Sequence, residues 1–143
     1  MSGTNPKPGM ILAYRYLWAA EYEAGHERGL KLRPCLVLGV EPILRGYRVT
    51  VVPITHYPQM DRYVEVPTAY LRQAGLDGHG QYVVVAEADV FRWPSFDARG
   101  ELGSIPEGFF KEVRQVVQQE AKHVRSVDYE EMEREVVEGY RNE

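Results

Sequence analysis

The chain has a single cysteine, so Cys35 cannot belong to an internal disulfide, and packing alone must hold a fold suited to a reducing compartment. Long apolar runs are missing too. Stretches such as Val83-Val84-Val85-Ala86 are far shorter than a membrane span, and no membrane partner is expected. The first residues (Ser2-Gly3-Thr4-Asn5-Pro6-Lys7-Pro8) show neither a basic start before an apolar stretch nor an Arg-rich amphipathic pattern. No targeting segment is visible, and the protein reads as cytoplasmic. The four histidines lack ligand spacing, so neither a metal site nor a cofactor is expected. Internal repeats and low-complexity tracts are absent. Strong net charge is absent as well once the −4 total is divided: positions 128–143 hold seven acids and two bases, a local −5, which leaves +1 on the other 127 residues. A nearly neutral domain neither demands nor forbids a nucleic-acid partner, because a local basic patch can hide in a neutral sum.

What is present is one domain's worth of ordinary globular sequence, 143 residues with 44% hydrophobic and 27% charged content. Gly9 to Tyr14 reads as a first strand. Residues 19–32, charged and punctuated by Gly25 and Gly29, are too long for a tight turn; they suit a functional loop with a partial helix. Cys35 to Val40 reads as a strand buried on both faces, Glu41 to Gly46 as a turn, and Tyr47 to Val52 as the β-branched return strand, with Pro53 ending its clean pairing. Shorter strands follow at Tyr63 to Val66, Gln81 to Ala86 and Phe91 to Trp93. A helical turn lies between the first two, closed by Gly75. After Gly103 the period becomes helical. Ser104 and Glu107 have capping-box spacing, and Phe109, Val113, Val116, Val117, Ala121 and Val124 form one stripe. Asp128 and Glu131 are placed to cap a second helix. The expected architecture is mainly β: a small β-barrel or strongly curved sheet over residues 1–126 with a C-terminal helix packed against it. Residues 127–143 are expected as an acidic helical tail of the same domain.

The hairpin supplies the geometry that matters for function. Folding the chain about Ile43 and Leu44 sets Arg33 across from Ile54 or Thr55. Arg33-Pro34 and Pro53-Ile54-Thr55-His56 therefore converge at one rim of the sheet, and the long loop runs into that rim. A guanidinium, a hydroxyl and an imidazole gathered there make an anion site.

These same residues carry a resemblance. Gly9, then Lys31-Leu32-Arg33-Pro34-Cys35-Leu36-Val37-Leu38, then Val51-Val52-Pro53-Ile54-Thr55, is similar to the MazF/PemK (Kid) family of toxin ribonucleases. The similarity continues through the apolar strand ending at Glu87, Phe91-Arg92-Trp93, Gly100 to Leu102 and the last helix, about residues 8 to 120. It implies an SH3-like barrel with a terminal helix, usually dimeric, and metal-independent cleavage of single-stranded RNA at short sequences. It also implies a protein antitoxin as partner in a type II toxin–antitoxin system. Residue by residue, the family's active-site arginine matches Arg33, its strand-end threonine Thr55, and the acid used by some PemK-type members Glu87. The chemistry would be attack of the 2′-hydroxyl on the adjacent phosphorus, with Arg33 and Thr55 donating to phosphoryl oxygens and Glu87 or His56 as base. Trp18, Tyr57 and Trp93 offer stacking surfaces, and His26 and Lys31 add polar contacts on the substrate side.

Plainer roles stand beside each of these. A strand-end Arg commonly makes a surface ion pair, a strand-end Thr is a good β-former, and Glu87 could pair with Arg92. Tryptophans are more often core than platforms, and Cys35 among apolar neighbours is packing rather than a reactive thiolate. The sequence departs from the family at Met10, at Val85 (where some members place a second arginine), in the length of the 19–32 loop, and in the acidic tail. The competing function is a catalytically inactive barrel of the same descent that binds nucleic acid or protein.

Overall fold

The computed structural model describes residues 5–26, 29, 31–58, 62–78 and 80–120, and the backbone of His123–Ser126. Among these residues the elements run β1 (Met10–Tyr14), α1 (Ala19–Glu23), β2 (Arg33–Ile43), β3 (Gly46–Thr55), β4 (Tyr63–Glu65), a 3₁₀ turn (Thr68–Tyr70), β5 (Tyr82–Val84), β6 (Glu87–Trp93), β7 (Ala98–Ser104), α2 (Glu107–Glu120) and β8 (His123–Ser126). The fold is mainly β with one long helix near the C-terminal end. Strand order is β4-β5-β3-β2-β1-β7, with β6 on β3 and β8 on β6. Every pairing is antiparallel except β6–β8. Among the described residues β4 and β7 do not pair, so hydrogen bonding does not close the sheet into the expected barrel.

Alternation along β1 to β3 builds two cores, one on each face of the sheet. Ile11, Leu36, Val52 and Ile54 face α2, which buries Phe109, Phe110, Val113 and Val117 against them. At about 1.5–3 kcal/mol for each fully buried large apolar side chain, this stripe is a major part of what fixes the helix. Met10, Leu12, Tyr14, Cys35, Val37, Val49, Val51 and Phe91 form the second core on the other face. The expectation of a strand buried on both faces at Cys35 to Val40 holds for its first half: Cys35, Leu36 and Val37 are fully buried, whereas Leu38, Gly39 and Val40 are only partly so. No helix among the described residues is long and apolar enough to cross a membrane.

Several boundaries differ from the sequence reading. The turn of the first hairpin is only Leu44-Arg45, because Glu41 pairs with Arg48 across the ladder and their side chains form an ion pair at 2.5 Å. That cross-strand contact keeps Glu41 to Ile43 in β2. β3 continues past Pro53: β2 pairs along one edge from Gly46 to Pro53, while the other edge is taken by β6 as far as Val51 and by β5 from Ile54. Pro53 falls in the gap between those partners, where a residue without N–H fits. β6 begins at Glu87, earlier than expected. β7 was not expected at all, since Ala98-Arg99-Gly100-Glu101-Leu102-Gly103-Ser104 lacks an apolar alternation; it pairs only with β1, as an edge strand. Ser104, expected as a helix cap, ends β7. α2 stops at Glu120, and Val124, expected on its stripe, lies in β8. The predicted second helix and acidic tail at 127–143 lie outside the described residues.

Candidate functional site

The second core's alternation carries on to one rim of the sheet and changes character there. Along β2 the same face shows Val37, Cys35 and then Arg33; along β3 it shows Val51, Pro53 and then Thr55; along β6 it shows Phe91, Asp89 and then Glu87. β2 and β3 thus each end an apolar series in a polar residue, and β6 places two acids beyond Phe91. Cys35 pairs with Pro53, and the same register carried outward sets Arg33 opposite Thr55. The three side chains line one cavity of about 420 Å³ together with Trp18, Glu21, Tyr57 and Val84.

Residues 16–19, which lead from β1 into α1, supply the next wall. Asp89 and Glu87, two apart on β6 and both buried, accept hydrogen bonds from this segment. The Leu17 N–H donates to Asp89 Oδ2 at 2.6 Å, the Ala19 N–H to Glu87 Oε1 at 2.9 Å, and the Tyr16 hydroxyl to Glu87 Oε1 at 3.1 Å. Burial, then the charges of Asp89 and Glu87, push the Tyr16 phenol well above its ordinary range, so it keeps the proton it donates. Glu21, in the first turn of α1, accepts from the Trp18 N–H at 3.1 Å, which is half of a capping box. Trp18 is thereby held with its ring under Arg33, whose guanidinium carbon is 5.3 Å from the ring centroid; Tyr16 meets Trp18 edge-on at 5.2 Å. At Gly29 a Cβ would fall 2.1 Å from the Tyr16 carbonyl oxygen, so only glycine lets the 19–32 loop approach this segment so closely.

Thr55 Oγ1 accepts from the Tyr57 N–H at 3.2 Å, which leaves its own hydroxyl proton to donate. Tyr57 is 83% exposed and lines both the first cavity and a second one of about 390 Å³ that Arg33 and Thr55 also line.

His56 and Lys31 line that second cavity and not the first. The two His56 ring nitrogens are engaged there, Nδ1 with the Gly80 carbonyl at 2.8 Å and Nε2 with Asp77 Oδ2 at 3.1 Å. His26 is exposed and lines neither cavity. Trp93 pairs with Tyr47 at the far end of β6 and packs beside the second core, away from Arg33. The cavity therefore brings together Arg33, Thr55, Glu87, Trp18 and Tyr57 from the sequence reading, and leaves His56, Lys31, His26 and Trp93 outside it.

Residues that the sequence reading passed over are Glu21, Tyr16, Asp89, Asp77 and Gln81. The alternation Glu87, Asp89, Phe91 was a usable signal for Asp89, and an acid three residues after Trp18 was one for Glu21. Nothing local announced that Asp77 and Gln81 would meet His56. Among the described residues no group of three or more His, Cys, Asp or Glu side chains is arranged to hold a metal ion. In comparisons with known proteins, no family model and no curated protein matches the chain.

Proposed function

We propose that this chain is an endoribonuclease of the MazF/PemK type, on an SH3-like barrel, that cleaves single-stranded RNA. One observation carries the reading: a cation (Arg33), a hydroxyl donor (Thr55), two carboxylates (Glu21 and Glu87) and aromatic surfaces (Trp18 and Tyr57) line a single cavity. A phosphodiester seated between Arg33 and Thr55 receives the guanidinium's donors and the hydroxyl proton on its non-bridging oxygens, where negative charge grows in the transition state. The 2′-oxygen bonds to phosphorus, the P–O5′ bond breaks, and the products are a 2′,3′-cyclic phosphate and a 5′-hydroxyl. The 2′-hydroxyl proton goes to a carboxylate and the leaving 5′-oxygen takes a proton from solvent water, the carboxylate later returning its proton to solvent, so the step balances without a co-reactant. Glu21 is the carboxylate better placed to reach substrate, being only half-buried where Glu87 is fully buried. Glu87 then holds residues 16–19 in place. In a cell, such an activity requires a restraining partner. The resemblance supplies one: a protein antitoxin binding a homodimeric toxin.

The second reading is a non-catalytic module that binds RNA or protein. One feature favours it: of the two bases named from sequence, Glu87 is fully buried and His56 is engaged at both ring nitrogens. Incubation of the purified protein with varied single-stranded RNAs in EDTA, with identification of the ends, separates the two. Cyclic phosphate and 5′-hydroxyl ends, abolished by Arg33→Ala and by Thr55→Ala in folded protein, are the expected result. Binding without cleavage would leave the module reading standing alone.

A further inference from the structure

The second cavity has a polar set of its own. Gln81, 4% exposed, donates through Nε2 to Asp77 Oδ1 at 3.2 Å and lies 3.3 Å from His56 Nε2, while His56 Nε2 is 3.1 Å from Asp77 Oδ2. Both carboxylate oxygens of Asp77 are thus oriented by neighbours from just beyond β3 and from the approach to β5. The remaining walls include apolar surface from Pro34, Leu76 and Leu102. The loop that carries Asp77 is itself fixed. Gly75 has φ +73°, and a Cβ there would fall 2.0 Å from the Leu102 carbonyl oxygen; the Ser104 N–H donates to the Gln73 carbonyl at 3.0 Å. Arg33, Thr55 and Tyr57 line both cavities, so a ligand with a phosphate at Arg33 adjoins both.

We propose that the second cavity is a nucleobase pocket, selective for a base with an exocyclic amino group, adjoining the phosphate held by Arg33 and Thr55. This deepens the ribonuclease reading and rests on it. The cavity has room for one base, and its apolar walls suit the faces of a ring. An oriented carboxylate only accepts hydrogen bonds, so a donor on the base is the group it recognises. Cytosine and adenine present an amino donor to it; uracil presents only its N3–H, flanked by two carbonyl oxygens that a carboxylate repels. Discrimination against uracil therefore comes from that repulsion.

The test compares binding of three 2′-fluoro hexanucleotides, which lack the attacking hydroxyl: all uridine, and uridine with one central cytidine or one central adenosine. Fluorescence anisotropy is expected to show the cytidine or adenosine oligomer binding about tenfold more tightly than all-uridine. Asp77 is largely exposed, and Asp77→Ala should bring the three affinities within about twofold while the circular dichroism spectrum is unchanged. Asp77→Asn, which preserves shape and removes the charge, should reduce the preference at least threefold (~0.65 kcal/mol). Equal affinities in the wild-type protein, or a preference that survives both substitutions, would overturn the pocket and leave the nuclease reading intact. Absence of binding to all three oligomers would overturn both.

Discussion

The Arg33 guanidinium lies over the Trp18 indole, 5.3 Å from the ring centroid, although the two residues reach the cavity from different elements. Arg33 opens β2, and Trp18 is held by the Glu21 bond at the start of α1. A cation on an aromatic face is worth about 0.5–1 kcal/mol at an exposed site, enough to bias a long side chain toward one placement.

Trp18→Ala is accordingly expected to slow RNA cleavage about two- to fivefold with little change in stability, whereas Trp18→Phe, which keeps a ring under the guanidinium, should retain most of the rate. Single-turnover cleavage beside a thermal melt checks both. Cleavage unaffected by the alanine substitution would remove Trp18 from the site.

Glu87 is expected to matter more to stability than its rim position suggests. Glu87→Ala deprives the buried Tyr16 hydroxyl and the Ala19 N–H of their acceptor, at about 1.5–3 kcal/mol for a hydrogen bond to a charged group. A loss of roughly 3 kcal/mol in urea denaturation is expected, and Glu87→Gln should lose about half as much. A change below about 0.5 kcal/mol for the alanine variant would show that the segment is held by other means.

Alkaline pH should unfold the protein. Burial first, then the charge of Asp89, pushes Tyr14, Tyr16 and Cys35 above their ordinary values, so the folded chain keeps protons that the unfolded chain releases. Their stabilisation is complete below the unfolded pKa values, about 8.5 for the thiol and 10 for the phenols, and declines as pH rises above them. Urea midpoints should fall progressively from about pH 9 upward, and Cys35 should resist thiol reagents until unfolding. Constant midpoints to pH 11 would contradict this.

Gly75→Ala is expected to destabilise the chain by at least about 1–3 kcal/mol, because φ +73° strains any residue with a Cβ and that Cβ meets the Leu102 carbonyl oxygen. The melting temperature reports the strain. RNA binding should weaken along with it, because this turn leads directly to Asp77.

The site's central pair was readable from sequence because a hairpin is local geometry: folding about Ile43 and Leu44 sets Arg33 opposite Ile54 or Thr55. Even there two errors partly cancelled. The actual turn is centred one residue later, at Leu44-Arg45, and an irregularity between Val37 and Gly39 shifts the register back by one residue. β7 was illegible for a different reason. A glycine- and charge-rich edge strand gains its structure from β1, and its own residues show no period. β8 pairs with β6 through the backbone, so Val124 could as easily be assigned to a helical stripe. The meeting of His56 with Asp77 and Gln81 spans more than twenty residues and three polar side chains, none bound by a periodicity that sequence alone could show.

The way three strands end on one face has a consequence for how this protein can change. Side chains on a strand switch faces at every residue, so inserting or deleting one residue between the apolar series and the rim would turn Arg33, Thr55 or Glu87 toward α2 and send an apolar neighbour to the cavity. Changes of two residues preserve the phase but slide the group about 6–7 Å along the strand, away from its partners. Descendants of this chain are thus free to vary the Leu44-Arg45 turn and the 19–32 loop positions other than Glu21 and Gly29, while β2, β3 and β6 must hold their lengths together or lose the site together.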